Sequence, residues 1–120
     1  MNEIYKNNLI RIELEESEVP WFKIFTQMEY KEFSECSSCE KREIWRVLDV
    51  IEIAMLEFFK PIKINIASFG NYMPHVHWHI MARFKEDSFF PEPIWGLKQR
   101  EGTYLLKDID KFIELLKKKL

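Results

Sequence analysis

The chain has 120 residues, of which 47% are hydrophobic and 15% aromatic. This composition predicts a packed globular fold, and the length suits one domain spanning residues 1–120. Lys and Arg nearly balance Asp and Glu, with a net charge of −2, so we expect neither nucleic-acid binding nor membrane attachment through a basic surface. No apolar run approaches the ~20 residues that cross a bilayer, and the N-terminus lacks a signal-peptide core. These features predict a cytoplasmic protein.

Four segments in which apolar and polar residues alternate predict two β-hairpins. Residues 8–14 and 21–26 form the first pair, joined by a turn that ends in Val-Pro. Residues 63–68 and 75–84 form the second pair, and the turn between them, residues 70–74, is rich in residues that favour turns.

Residues 39–59 carry apolar side chains at spacings of three and four, which predicts a long helix. Ser38 suits its N-cap, and Pro61 should end it because proline disfavours helical geometry in the preceding residue. Further apolar side chains lie off the main stripe: Trp45, Val50, Ile53, Leu56 and Phe59. The helix is therefore either sandwiched inside the domain or buried against another chain. We favour the second alternative, which implies a homodimer.

A second helix is predicted near the C-terminus, capped by Asp108 or Asp110. Residues 117–119 are all lysine and complement the negative end of its dipole. The elements together predict an α+β fold in which antiparallel strands accompany one long central helix and a C-terminal helix.

The only cysteines, Cys36 and Cys39, form a CxxC pair. Half a zinc site would need ligands from elsewhere, and a redox pair would be expected in a thioredoxin-like βαβ setting that the sequence lacks. Two plain thiols in a reducing compartment are the favoured interpretation.

All three histidines fall within residues 75–79, HVHWH, at positions i, i+2 and i+4. This spacing is the period of a β-strand, so we expect three imidazoles on one face and Val76, Trp78 and Ile80 on the other. Histidine suits nucleophilic, acid–base and metal chemistry near neutral pH, and such clusters gather at functional sites. The segment is therefore the main candidate site.

Two kinds of chemistry compete for this histidine row. Two neighbouring histidines could share a zinc ion, but residues four apart in a strand are about 13 Å apart, so all three could not. A neutral imidazole can instead attack phosphorus and form a covalent phosphoramidate. The central His77 is then the nucleophile, with its neighbours stabilising charge on the phosphate oxygens. Backbone amides of the Gly70-Asn71 turn could bind the same anion.

Residues 75–81, HVHWHIM, resemble the histidine triad motif, His-φ-His-φ-His-φ-φ, where φ is apolar. Residues 65–74 are similar to the segment that precedes the motif in bacterial members. Arg83 and residues 89–95 are similar to the segment after the motif in one bacterial branch, the diadenosine polyphosphate hydrolase-like proteins. The resemblance implies a compact α+β fold with an antiparallel sheet of about five strands, usually as a symmetric dimer. It also implies hydrolysis or transfer of nucleoside monophosphates from diadenosine polyphosphates or nucleoside phosphoramidates.

The resemblance also assigns roles by position to the residues of the motif. His77 is similar to the family's nucleophile, His75 to the residue that orients it, and His79 to one that contacts the phosphate. Asn65 matches an asparagine near the α-phosphate. In many members of the family, an upstream segment carries a further histidine. Here Val-Pro-Trp-Phe occupies that place at residues 19–22, so this histidine is absent.

Four more residues complete the expected nucleotide site. Gly70 and Asn71 match a Gly-Gln pair whose loop supports the phosphates, although Tyr72 replaces the family's small Ser or Thr. Arg83 falls on the histidine face and could meet a polyphosphate tail, a solvated or ion-paired arginine being the alternative. Trp95, of this chain or of a second subunit, could stack on a base or cover the pocket, a buried or interface tryptophan being the alternative.

The sequence therefore predicts a dimeric nucleotide hydrolase or nucleotidyl transferase that acts through His77. No protein metal ligand or other cofactor is expected, although Mg²⁺ could accompany a polyphosphate substrate. Two alternatives stay open: a catalytically weak nucleotide-binding or regulatory module, and a zinc-dependent hydrolase that uses His75 and His77.

Overall fold

A five-stranded antiparallel sheet in the order β1-β2-β3-β5-β4 is the framework of the computed structural model, which describes residues 2–120. A short 3₁₀ helix at Phe33–Glu35 precedes the long helix. The strands are β1 Glu3–Lys6, β2 Ile10–Leu14, β3 Trp21–Thr26, β4 Lys63–Ala67 and β5 His77–Arg83, and the helices are α1 Ser38–Phe59 and α2 Ile109–Lys119.

The α+β fold, both hairpins and both helices are confirmed. Strand β1 is not among the four predicted strands, and β5 begins at His77 rather than at residue 75. The amide of His75 donates to the carbonyl of Met73 at 2.8 Å, and the amide of Val76 to that of Tyr30 at 2.8 Å. These two residues therefore belong to the loop that leads into the strand.

Helix α1 covers one face of the sheet, and the hydrophobic core lies between them. As predicted, Val76, Trp78 and Ile80 point into this core, opposite the histidines. Ile44 and Ile51 of α1 are fully buried there, since they lie on the main apolar stripe of the helix. The catalytic candidates therefore occupy the other face of the sheet.

Three of the five apolar residues off that stripe are not sandwiched inside the domain. Trp45, Ile53 and Leu56 are 55%, 47% and 44% exposed, whereas Val50 and Phe59 are partly buried. Of the two explanations predicted for these residues, the sandwiched helix is wrong. No helix within residues 2–120 combines the length and the apolar character that a membrane crossing requires.

The N-cap of α1 is Ser37, not the predicted Ser38. The Ser37 hydroxyl accepts from the Glu40 amide at 3.1 Å, and the Glu40 carboxylate accepts from the Ser37 amide at 2.6 Å. This capping box requires Glu three residues after the cap, which only Ser37 satisfies. At the other end, Lys60 takes a left-handed conformation before Pro61. Asp108 holds the N-cap position of α2.

Replacing Ser37 with Ala should lower the free energy of unfolding by about 1 kcal/mol, because the Glu40 amide in the first turn of α1 loses the hydroxyl that accepts from it. Ser38→Ala is the matched control and should change stability little, since Ser38 lies inside the helix. Urea denaturation followed by circular dichroism measures both. Equal losses for the two variants would contradict the assignment of the cap.

Candidate active site

Two of the three histidines line a cleft on the open face of the sheet. His77 and His79 alternate along β5 and place their ring centroids 4.9 Å apart. The cleft has a volume of about 360 Å³. It is lined by Phe69, Gly70, Asn71, Tyr72, Met73, His77, His79 and Trp95.

A backbone carbonyl determines the tautomer of His77. Its Nδ1 lies 2.7 Å from the carbonyl oxygen of His75. A carbonyl only accepts, so Nδ1 carries the proton and Nε2 of the neutral ring keeps a free lone pair. The Phe25 ring stacks on the imidazole, with centroids 4.8 Å apart and planes inclined by 20°. Position and tautomer of the candidate nucleophile are thus both fixed.

His75 contributes its backbone rather than its imidazole to this arrangement. Its Nε2 donates to the carbonyl of Thr26 at 2.7 Å, with the Thr26 hydroxyl at 3.3 Å. That hydroxyl itself donates to the carbonyl of Met28 at 2.7 Å. The His75 side chain is therefore tied to the end of β3 and does not line the cleft. The orienting group that His77 meets is the His75 carbonyl.

His79 is enclosed by aromatic rings and held by a hydrogen bond. Its Nδ1 accepts from the indole N–H of Trp21 at 3.0 Å, and the Trp95 ring lies 4.8 Å away at an interplanar angle of 78°. Burial lowers the pKa of His79, and the neighbouring His77 and Lys23 lower it further, from 6.5 to about 4. His79 is accordingly neutral at physiological pH.

The loop between β4 and β5 forms one wall of the cleft. Gly70 has a φ of +74°, a conformation that favours glycine over residues with a Cβ. Gly70 and Asn71 both line the cleft. Tyr72 is fully exposed at the rim. Trp95 of the same chain also lines the cleft and packs on Phe69 of this loop, with ring centroids 5.0 Å apart, so covering the cleft does not require a tryptophan from a second subunit.

Arg83 and Asn65 lie outside this cleft and bind each other. The guanidinium of Arg83 is 1% exposed and forms a two-pronged ion pair with Asp87 at 2.9 and 3.0 Å. Its remaining terminal nitrogen donates to the Asn65 side-chain oxygen at 3.0 Å. Asn65 lines an adjoining cavity of about 460 Å³ that shares Phe69 and Trp95 with the cleft. Arg83 is thus the ion-paired arginine of the two alternatives. A contact with a polyphosphate tail would require the buried ion pair between Arg83 and Asp87 to break.

Asp87 organises the end of β5. Burial of its carboxyl raises the pKa, but hydrogen bonds from Arg83 and from the amides of Phe84, Phe89 and Phe90 outweigh this effect and lower it to about 2. The carboxylate therefore stays ionised and anchors the loop that leads to Trp95.

Sequence reasoning missed three residues that shape the site: Trp21, Phe25 and Asp87. Trp21 and Phe25 lie on one face of β3 by strand alternation, and β3 pairs with β5 so that Phe25 is opposite His77. The pattern could have placed both rings on the histidine side if the register between these strands had been known. Asp87 follows Arg83 by four residues, which offers no comparable signal outside a helix.

No group of three or more His, Cys, Asp or Glu side chains that could hold a metal ion occurs within residues 2–120. A zinc-dependent hydrolase built on His75 and His77 would therefore need further zinc ligands other than the His, Cys, Asp and Glu side chains of residues 2–120. Both cysteines are free thiols, Cys36 buried and Cys39 exposed.

The HIT domain family model matches residues 2–86, about two thirds of the chain. This chain belongs to the HIT domain family. Proteins of this family bind nucleotides and are generally nucleotide hydrolases or transferases. No curated protein matches the sequence significantly.

Solved structures share the whole fold. A histidine triad protein from Bradyrhizobium japonicum is 25% identical with a TM-score of 0.80, covering 98% of this chain and 88% of that one. Histidine triad proteins from Sinorhizobium meliloti (22% identity, TM-score 0.79, coverage 98% and 88%) and Marinobacter aquaeolei (20%, 0.81, 98% and 89%) have the same fold. The likeness extends beyond residue 86 and so includes the segment that carries Trp95.

Replacing Asp87 with Asn should lower the free energy of unfolding by about 3 kcal/mol, because Arg83 would be left as a buried charge without its partner. Glu101→Gln, in the exposed pair with Lys98, is the control and should cost less than about 0.5 kcal/mol.

In the native protein, the stability from the Asp87 carboxylate is fully present above pH 3.8 and is lost as the pH falls toward 2. Urea denaturation at several pH values measures both effects, and equal losses for the two variants would refute this role of the buried pair.

Proposed function

We propose that this protein is a nucleotide hydrolase or nucleotidyl transferase in which His77 attacks the α-phosphorus of its substrate. The hydrogen bond between His77 Nδ1 and the His75 carbonyl is the observation that carries the proposal. It leaves the Nε2 lone pair of a cleft-lining imidazole available as a nucleophile. The same carbonyl stabilises the positive charge that the ring acquires on attack.

The reaction proceeds in two displacements. The Nε2 lone pair of His77 forms a P–N bond, and the bond from phosphorus to the leaving group breaks. The leaving group departs with the bonding electron pair and takes up a proton from solvent. Water then attacks the phosphorus of the nucleotidyl-histidine, the P–N bond breaks, and a nucleoside monophosphate is released. The imidazole regains its lone pair, and one proton of the attacking water passes to solvent. A second acceptor in place of water would make the same intermediate a transferase intermediate.

The charge of the cleft favours one of the two substrate classes. Within residues 2–120, the eight residues that line the cleft include no Asp, Glu, Lys or Arg, and His79 among them is neutral at physiological pH. Nearby Lys23 is paired with Glu15 at 2.9 Å, and Arg83 with Asp87. Neutral donors suit a phosphoryl group with a single charge, as in a nucleoside phosphoramidate. A diadenosine polyphosphate, the substrate of the hydrolase-like branch, would bring Mg²⁺ to offset its additional charges.

Brief mixing with an adenosine phosphoramidate or a diadenosine polyphosphate should add one adenylyl group to the protein and release AMP. Both signals should vanish in His77→Ala, because no other cleft residue offers the same free lone pair. Intact-protein mass spectrometry with parallel product analysis measures them. The matched control is His75→Ala, which keeps the orienting backbone carbonyl and should still form the adduct.

Each alternative function predicts a different result. A binding module would bind nucleotide in calorimetry and yield neither adduct nor product in the wild type. A zinc hydrolase would lose activity with a chelator and regain it with zinc. Either result would overturn the proposed mechanism.

We further propose that a second copy of the chain covers the exposed apolar face of α1. Trp45, Ile53 and Leu56 lie on one side of this helix and are each about half exposed. The histidine triad resemblance implies a symmetric dimer, and an unpaired apolar helix face of this kind is typical of an interface between identical subunits.

Sedimentation equilibrium should give twice the mass of the chain for the wild type and the mass of one chain for Leu56→Asp, because a buried carboxylate would oppose association. Glu114→Gln, at an exposed position of α2, should remain dimeric. A monomeric wild type would exclude the homodimer.

A further inference from the structure

Trp21 is the one aromatic neighbour that donates a hydrogen bond to a cleft-lining histidine within residues 2–120. We propose that Trp21 is a positioning residue whose indole N–H holds His79 in the single tautomer that presents a proton-bearing Nε2 to the cleft. The structural part of this inference concerns the free protein. Its consequence for catalysis rests on the function proposed above.

The strand register creates the contact. β3 and β5 are antiparallel neighbours, with Trp21 opposite Met81 and Lys23 opposite His79. Trp21 and His79 are therefore diagonal neighbours on one face, within reach of a long aromatic side chain. The rings meet edge to face, with centroids 5.6 Å apart and planes inclined by 62°. The indole nitrogen lies 3.0 Å from Nδ1.

The chemistry of the two rings determines where the proton lies. An indole N–H can donate but cannot accept, so Nδ1 of His79 must be the unprotonated nitrogen. The proton of the neutral imidazole then lies on Nε2. A second proton on Nδ1 would set two N–H groups against each other, so this contact also opposes the cationic form of His79. Burial and the proximity of His77 act on the pKa in the same direction.

The two cleft histidines consequently carry opposite tautomers. His77 is protonated on Nδ1 because it meets a carbonyl, and His79 on Nε2 because it meets an indole. The pair, 4.9 Å apart, offers one lone pair and one N–H at equivalent nitrogens. Such a pair can attack a phosphorus atom and donate to one of its oxygens at the same time. If His79 adopted the other tautomer, it would present a second lone pair that repels those oxygens.

Trp95 limits the movement of the same imidazole without determining its tautomer. It packs on His79 and also lies 5.3 Å from the Trp21 ring. The titratable groups that face His79 are His77, Lys23 and Glu15. Trp95→Phe therefore reduces the aromatic packing but leaves the Trp21 donor in place, which makes it the matched control for Trp21→Phe.

Nitrogen-15 NMR of the histidine side chains tests the inference, and the chain contains only three histidines to assign. At neutral pH, the wild type is compared with Trp21→Phe and with Trp95→Phe, all without substrate. His79 should show an unprotonated Nδ1 and a protonated Nε2 in the wild type and in Trp95→Phe. Trp21→Phe should show a mixture of tautomers and a His79 pKa closer to 6.5 than the wild-type value.

A protonated Nδ1 in the wild type would overturn the proposal, and this measurement depends on no variant. An unchanged tautomer in Trp21→Phe would overturn it as well.

Single-turnover kinetics tests the consequence for catalysis. Loss of one orienting hydrogen bond should slow adenylylation of His77 about tenfold in Trp21→Phe, with little change in nucleotide affinity. A changed tautomer with an unchanged rate would refute the positioning role. If the wild type performed no nucleotidyl transfer, the proposed function would fail, whereas the NMR result would still decide whether Trp21 sets the tautomer.

Discussion

The pairing of β5 on both sides is the constraint on which the fold and the candidate site depend. All seven residues of this strand are buried, and β3 and β4 fix its register. Side chains alternate, so a slip of one residue would move Trp78 and Ile80 out of the core and the histidines into it. Such a slip would bury imidazoles among aliphatic side chains and expose large apolar ones. The hydrophobic core thus specifies which face carries the site.

Within this fold, hydrogen-bonding groups that can only donate or only accept determine which nitrogens of the histidines carry protons. Carbonyl oxygens meet His75 and His77 and can only accept, whereas an indole N–H meets His79 and can only donate. Neutral hydrogen-bonding groups, rather than ion pairs, therefore fix the proton positions of the histidines at the cleft. Charged groups near it are neutralised by carboxylates, as in the pair of Lys23 with Glu15. A buried site without free charges avoids the desolvation cost that an unpaired ion would impose.

The sequence predicts the elements well because their periodicity is local. Alternation and helical spacing locate four strands and both helices, and the histidine spacing indicates the candidate site. The predicted cap is wrong by one residue because Ser37 and Ser38 are equivalent until Glu40 is counted. β1 spans only four residues, too few for a clear alternation. The contact between Trp21 and His79 joins residues 58 positions apart, so it depends on strand register, which one sequence does not reveal.

Arg83 illustrates how a correctly predicted face can leave the partner of a side chain open. Alternation along β5 puts it on the histidine side, where an arginine could meet phosphate or an acidic side chain. The chain turns directly after the strand, however, and brings Asp87 back onto the guanidinium. Asp87 also accepts from the amides of Phe89 and Phe90, which begin the segment that ends in Trp95. Arg83 therefore affects the cleft indirectly. Together with Asp87 it holds in place the loop that carries Trp95, which packs against His79.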